Sequence, residues 1–202
     1  MPASPRSSQT PTTPGADFFR AFLKNWKEVG WPLQTSRDAT KKICDAINFQ
    51  QARRIVEIGA GTGNVTREVL KYLAPDGELI VFEVNSELCR YLGDIDDRRL
   101  VVHNASAIDM ADVVSEKADY IVSALPIATL SNASFVRFYQ NVKAVLKDDG
   151  HYIQLQLSLF SYPRLRQLFH TVDVAICLRN FLPLFIYSCK GMNGPATAAN
   201  NA

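Results

Sequence analysis

Three closely spaced glycines and two carboxylates are the residues of this chain whose types and spacing most clearly indicate a ligand site. Gly59, Gly61 and Gly63 directly follow the apolar run 54–58 and precede an amphipathic stretch. Glycines at such a turn let the backbone approach a ligand, and the start of the next helix supplies free N–H groups. Glu57 precedes the first glycine by two residues, and Glu83 follows the third by twenty. This spacing predicts a ligand site where two neighbouring strands end.

The two carboxylates indicate which ligand such a turn could hold. A GxGxxG dinucleotide fingerprint needs its third glycine at position 64, which is Asn64. Glu57 would repel a pyrophosphate but suits a cationic ligand, and a carboxylate placed like Glu83 can accept from both ribose hydroxyls. A ligand with an amino-acid end, a ribose and no phosphate is S-adenosylmethionine (SAM). The alternatives are an NAD-dependent dehydrogenase and a glycine turn that binds no ligand.

The elements that position these residues follow from an alternation of strands and helices. Two helices are predicted first, and the core then alternates strands at 54–58, 78–84, 100–103, 118–123 and 151–157 with helices at 63–72, 86–93, 132–146 and 163–169. This order predicts an α/β fold with a doubly wound, mostly parallel sheet and helices on both faces. Strands at 173–178 and 184–188 are too close for a crossover helix, so we expect an antiparallel C-terminal hairpin. The expected architecture is a seven-stranded, Rossmann-like sheet with N-terminal helices.

Length and composition limit the domain organisation and the function class. The chain has 202 residues, is 47% hydrophobic and has a net charge of +2, which disfavours a broadly basic nucleic-acid binder. We expect disordered tails at 1–15 and 191–202 around one domain at 16–190. The four cysteines form no CxxC pair and the three histidines lie far apart, so we expect no metal site and a reduced, cytoplasmic protein.

The glycine turn and the acid at the end of the second strand resemble the class I SAM-dependent methyltransferases. The resemblance covers residues 54–157 and implies SAM as cofactor, with S-adenosylhomocysteine as product. By that resemblance the glycine turn lines the methionine end, Glu83 binds the ribose, and Ser106 stands where an adenine-binding Asp is usual. The full predicted cofactor set is Glu57, Gly59, Ala60, Gly61, Thr62, Gly63, Glu83, Val84, Ala105 and Ser106.

The end of the fourth strand bears on the methyl acceptor. Enzymes that methylate base amines carry Asn or Asp, then Pro, then an aromatic residue at this point, so that the amine is bound and the flipped base is stacked. Here Ser123, Ala124 and Leu125 precede Pro126, and Ile127 replaces the ring. Neither the acceptor group nor the stacking platform is present, so no nucleic-acid partner is expected.

Several segments together resemble small bacterial phospholipid N-methyltransferases. These are the run 122–126 (Val-Ser-Ala-Leu-Pro), the opening 22–26 (Phe-Leu-Lys-Asn-Trp) and the ending 179–187. The resemblance implies methylation of phosphatidylethanolamine and its methylated forms. A soluble small-molecule acceptor and a non-catalytic SAM-binding protein remain the alternatives.

Residues that could contact the acceptor follow from the strand ends. We expect Ser123 and Tyr162 to act in catalysis. The predicted substrate-binding residues are Pro126, Gln156, Arg164 and Arg166, of which the arginines could hold a phosphate. The predicted first helix, 16–28, has five large apolar residues opposite three cations. It could lie on an anionic membrane, peripherally on the inner face, or close over the cofactor as a lid.

Overall fold

Seven strands form one mixed sheet. The computed structural model describes residues 35–193, and the strand order is β3-β2-β1-β4-β5-β7-β6. The strands are β1 (Arg54–Ile58), β2 (Glu78–Phe82), β3 (Leu100–His103), β4 (Ala118–Ser123), β5 (Leu146–Gln156), β6 (Phe169–Cys177) and β7 (Leu184–Met192). The first five pair in parallel, whereas β7 is antiparallel to β5 and β6. The predicted doubly wound sheet with an antiparallel C-terminal hairpin is confirmed.

Five α-helices flank the sheet in the described residues. They are α1 (Arg37–Asp45), α2 (Asn64–Tyr72), α3 (Ser86–Gly93), α4 (Asn132–Val145) and α5 (Tyr162–Leu168), with short 3₁₀ helices at Ala107–Asp112 and Ile127–Thr129. Polar caps explain where several of them begin. Ser36, Asn85 and Ser131 each accept a hydrogen bond from a backbone N–H of the first turn, which satisfies donors that the helix leaves free.

Several strand boundaries differ from the sequence prediction: β2 ends at Phe82 instead of at 84, and β6 begins at Phe169 instead of at 173. Strand β5 begins at Leu146 instead of at 151, because Leu146 pairs with Ala118 before a register shift brings His151 opposite Tyr120. The intervening Lys-Asp-Asp-Gly reads as a turn in the sequence but forms an irregularity inside the strand. Strand β7 continues to Met192, so the predicted C-terminal tail begins inside a strand. The predicted helix at 16–28 and the tail at 1–15 lie outside the described residues.

The sheet topology brings the ends of β1, β2, β4 and β5 to one edge, here called the carboxyl edge. Gln156 at the end of β5 pairs with Phe185 near the start of β7, and Cys177 at the end of β6 pairs with Leu184. The turn that joins β6 to β7 therefore lies at the same edge. In such open sheets ligands bind at the carboxyl ends of the strands.

Each face of the sheet packs against its own helices. On one face, Ile55, Val81 and Val122 belong to a core that includes Ile43 of α1 and Val69 of α2. On the other, residues of α4 and α5 pack with buried aromatic rings, including the stacked pair Tyr152 and Phe169 (ring centroids 5.4 Å apart). No helix within residues 35–193 is long and apolar enough to span a bilayer, and no cluster of metal-ligating side chains occurs there.

Candidate functional site

The glycine turn leaves open space at the carboxyl edge. Gly61 has a φ of +58°, and a Cβ added there would meet nothing within 4 Å. At Gly63, with φ +78°, an added Cβ would lie 2.8 Å from a methyl of Leu92, so a larger residue would push α2 and α3 apart. One glycine therefore keeps room for a ligand, and the other permits close packing.

Glu83 supports the turn from the end of β2. Its carboxylate is buried and accepts hydrogen bonds from the backbone N–H groups of Gly61 (3.0 Å) and Asn85 (2.9 Å). A carboxylate has about four acceptor sites, so both oxygens retain capacity for ribose hydroxyls. Asn104 donates to the Glu83 carbonyl at 3.0 Å, which ties the loop after β3 to the same point. These residues fit the ribose of SAM.

Glu57 has a different environment, although it is only two residues from the turn. It is 3% exposed and accepts a hydrogen bond from the Thr66 hydroxyl of α2 at 2.7 Å. The pKa of this carboxyl is raised to about 7, mainly by burial and also by the nearby negative charge of Glu83, while hydrogen bonds from Thr66 oppose the change. The carboxyl therefore anchors the first turn of α2, and its contact with a cationic ligand stays a prediction.

The predicted adenine position lies in the turn after β3. Ser106 is half-buried and accepts from the Ile108 N–H at 3.3 Å, which caps the first 3₁₀ helix. Its hydroxyl oxygen keeps a second acceptor site for an exocyclic amine. Of the other predicted cofactor residues, Ala60, Val84 and Ala105 are half-buried and Thr62 is exposed.

Ser123 is fully buried, so its side chain is not accessible as expected for a catalytic residue. Its hydroxyl oxygen accepts from the Leu125 N–H at 3.3 Å and organises the turn after β4. The residue that does face outwards is Ala124, whose N–H donates to the Ile58 carbonyl at 2.9 Å. Ala124 therefore stands between the glycine turn and the loops after β4 and β5, here called the acceptor side, and the sequence predicted no role for it.

A glutamine that the sequence analysis missed holds this turn in place. Gln154 is wholly buried, and its amide nitrogen donates to the carbonyls of Ser123 (2.9 Å) and Leu125 (2.8 Å). Its amide oxygen accepts from the Tyr152 hydroxyl. The available signal was two glutamines at alternate positions in an otherwise apolar strand, because buried polar groups in a sheet need specific partners.

Gln156, the predicted substrate contact, is also engaged within the protein. Its amide nitrogen donates to the carbonyls of Leu125 and Leu155, both at 2.6 Å, and its oxygen accepts from the Ser161 hydroxyl at 3.2 Å. The side chain thus joins the loops after β4 and β5. Pro126 is half-buried beside it and Tyr162 is exposed, so these two remain reachable from the carboxyl edge.

The two predicted phosphate ligands differ in position. Arg164 donates to the carbonyls of Ile127 (3.2 Å) and Leu130 (3.3 Å), and its guanidinium lies 5.1 Å from the Phe135 ring centroid. It thereby fixes the segment after β4. Arg166 lies in the last turn of α5 and donates to the His170 carbonyl at 3.3 Å. This places Arg166 towards the start of β6, away from the carboxyl edge where it was expected.

Comparison with known proteins identifies the class of enzyme. Residues 56–152 match a family model described as a methyltransferase domain. The chain is 29% identical over 182 residues to an ornithine lipid N-methyltransferase of Singulisphaera acidiphila, which covers 87% of this chain and 95% of that protein.

Solved structures share the fold. A precorrin-6y C5,15-methyltransferase of Geobacter metallireducens superposes with a TM-score of 0.63 at 18% identity, covering 79% of this chain and 90% of that one. The O-methyltransferase TomG of Streptomyces achromogenes, solved in complex with SAM, also gives 0.63, at 14% identity over 86% of this chain and 89% of that one. From the matched domain and the similar N-methyltransferase, the chain is a SAM-dependent methyltransferase, and the solved structures show that it shares their fold.

Proposed function

We propose that this methyltransferase transfers methyl groups to the amine of a membrane-lipid head group, with phosphatidylethanolamine and its methylated forms as the first acceptors. The observation that carries the proposal is the apolar character of the acceptor side. The polar side chains on this side already hydrogen-bond to backbone groups of the protein; they are Ser123, Gln154 and Gln156. The accessible positions are Ala124, Pro126 and Tyr162.

Such surroundings suit an amine nucleophile. An ammonium group has to lose a proton before its nitrogen can attack, and an apolar environment favours the neutral form. SAM, when bound, supplies a methyl group on a positively charged sulfur, and the transfer needs mainly alignment and exclusion of water. Gly61 and Glu83 would hold the cofactor, while Tyr162 at the start of α5 is our candidate for the head-group contact and the proton relay.

A lipid amine is also favoured by one relative that matches most of the chain. The ornithine lipid N-methyltransferase matches nearly its whole length to this chain, and its name specifies an amine on a lipid. The absence of an Asn or Asp and a ring around Pro126 argues against a base amine. An ornithine lipid is therefore the second candidate acceptor.

The test is to incubate the full chain with methyl-labelled SAM and three acceptors in parallel. These are phosphatidylethanolamine vesicles, vesicles that contain an ornithine lipid, and soluble phosphoethanolamine. We expect label in the organic phase with phosphatidylethanolamine. If only the ornithine lipid becomes labelled, it is the acceptor in place of phosphatidylethanolamine. If only phosphoethanolamine becomes labelled, the proposal of a lipid acceptor is overturned. If calorimetry shows SAM binding and none of the three acceptors becomes labelled, the protein binds the cofactor without methylating these acceptors.

A further inference from the structure

Exposed apolar side chains are concentrated beside the acceptor side of the carboxyl edge. Phe160 is 83% exposed, Leu178 75% and Phe181 76%. Together with the exposed Leu159 and Leu182 they form what we call the apolar rim. Leu157, Tyr162 and Ile176 are exposed in the adjoining segments. The other exposed large apolar residues within 35–193 lie on separate elements; they are Tyr72, Tyr91, Val101, Val113 and Val136. Scattered apolar residues are ordinary, but a cluster marks an interaction site.

The sheet brings the two parts of the rim together. Leu159 and Phe160 belong to the loop after β5, and the other three belong to the turn between β6 and β7. The Tyr187 hydroxyl of β7 donates to the Ser158 carbonyl at 2.8 Å, which fixes the first loop against the hairpin. Asn180 donates to the Leu182 carbonyl at 3.0 Å and accepts from the Ser36 N–H at 2.9 Å, so the turn is held as well.

The two segments that form the rim carry positive charge. Residues 157–164 and 174–187 contain Arg164 and Arg179 and no acidic residue. Arg179 is 86% exposed and lies 3.9 Å from Asp38, the acidic group paired with it. Leu, Phe and Tyr side chains beside arginines suit the boundary between head groups and acyl chains of an anionic bilayer.

The small size of the rim favours a bilayer surface over a protein as its partner. A stable protein–protein interface takes roughly 20–30 residues from each side, whereas the rim consists of five side chains at two loop tips. Two loop tips can enter a bilayer surface without a matching groove. We propose that the apolar rim inserts into the surface of an anionic bilayer and so presents the acceptor side of the carboxyl edge to lipid head groups.

This proposal rests on the proposed lipid acceptor but makes a separate prediction about binding. The full chain is floated with vesicles of phosphatidylcholine, with and without phosphatidylglycerol. We expect wild type to float with both and more with phosphatidylglycerol. Phe160→Ser with Phe181→Ser should weaken binding by about tenfold or more, because two interfacial aromatic anchors are lost. Arg179→Gln should weaken binding by about fivefold on phosphatidylglycerol vesicles only.

The matched control is Tyr91→Ser with Val136→Ser, which removes two exposed apolar side chains from α3 and α4. It should float like wild type. Circular dichroism and SAM affinity should be the same for both double variants, since none of the four side chains is buried. Equal flotation of the rim variant and wild type would overturn the proposal, as would failure of wild type to float.

The outcomes for docking and for acceptor are distinguishable. A short-chain phosphatidylethanolamine used below its micelle concentration measures methylation without a bilayer. If a protein that does not float methylates this monomeric lipid, the insertion of the rim into a bilayer is contradicted and the proposed lipid acceptor is supported. If flotation depends on the rim but no lipid is methylated, the proposed lipid acceptor is contradicted and the insertion of the rim into a bilayer is supported.

Discussion

The cofactor side and the acceptor side of the carboxyl edge use polar side chains differently. On the cofactor side, Glu83 holds the glycine turn and still has acceptor capacity, and Gly61 faces open space. On the acceptor side, Gln154 and Gln156 direct their amides into backbone carbonyls, and the exposed residues are apolar. The polar groups of the cofactor side keep capacity to bind a ligand, whereas those of the acceptor side stabilise the loops after β4 and β5. We therefore expect substitutions on the first side to affect affinity and those on the second to affect stability first.

The largest effect is expected at Gln154. Replacing it by Leu leaves the Ser123 carbonyl without this donor and the Tyr152 hydroxyl without its acceptor, and each unsatisfied group costs about 1–3 kcal/mol. We expect Gln154→Leu to lower the free energy of unfolding by about 4 kcal/mol, measured by urea denaturation. Gln156→Leu is the matched comparison and should cost less, because Gln154 still donates to the Leu125 and Leu155 carbonyls and only the Ser161 hydroxyl loses its acceptor. Equal losses would contradict separate tasks for the two glutamines.

The next effect is expected at Glu57 and depends on pH. The folded protein holds the Glu57 proton more tightly than an ordinary carboxyl, with a pKa of about 7 against 4.5. The penalty for burying the charge is absent below about pH 4.5 and grows until about pH 7, where it reaches roughly 3 kcal/mol. Glu57→Gln should therefore be more stable than wild type at pH 8 and not at pH 4.5.

Urea denaturation of wild type and Glu57→Gln across this pH range checks the prediction. Asp148→Asn, at a fully exposed carboxylate, is the control and should leave the pH dependence unchanged. If Glu57 also contacts the cofactor, the same variant binds SAM more weakly at pH 8 despite its higher stability. A pH dependence shared by wild type and Glu57→Gln would refute the assignment.

A smaller effect is expected on cofactor affinity at Glu83. Glu83→Ala removes a carboxylate that supports the Gly61 N–H and is predicted to bind ribose, so SAM binding should weaken by about 2 kcal/mol. Calorimetry measures this directly, and Asp148→Ala serves as the exposed control. Unchanged affinity in Glu83→Ala would remove Glu83 from the cofactor site.

The smallest effects separate the two arginines of α5. Arg164→Gln loses contacts to the Ile127 and Leu130 carbonyls, which should lower the free energy of unfolding by about 1 kcal/mol. Arg166→Gln should change it by less than about 0.5 kcal/mol, as for most exposed positions. If Arg164 binds lipid phosphate instead, its variant raises KM for the lipid and leaves stability unchanged.

The glycine turn and the strand ends around it could be predicted from sequence because their signal is local. Gly59, Gly61 and Gly63 are adjacent to the strand they follow, and the distance from there to Glu83 is that of one helix and one strand. The strand order and the antiparallel hairpin followed in the same way from the alternation of elements and from one short connection. Local spacing therefore determined both the fold class and the turn.

The acceptor side could not be predicted in this way because its contacts join distant residues. Gln154 reaches Ser123 across 31 positions, and Arg164 reaches Ile127 across 37. A sequence shows that Gln156 and Arg164 are polar near a strand end, but not that backbone carbonyls from another loop engage them. The rim likewise joins the loop after β5 to the β6–β7 turn, and only the sheet pairing brings them together.

The most direct test of the account is head-group methylation with the cofactor side intact and impaired. Vesicles of phosphatidylethanolamine and, separately, vesicles that contain an ornithine lipid are incubated with SAM and either wild type or Glu83→Ala, and the extracted lipid is analysed by mass spectrometry. We predict head groups heavier by one or more methyl groups with wild type, and a much slower appearance with Glu83→Ala. Unmodified phosphatidylethanolamine and ornithine lipid after incubation with a wild-type protein that binds SAM would contradict the account.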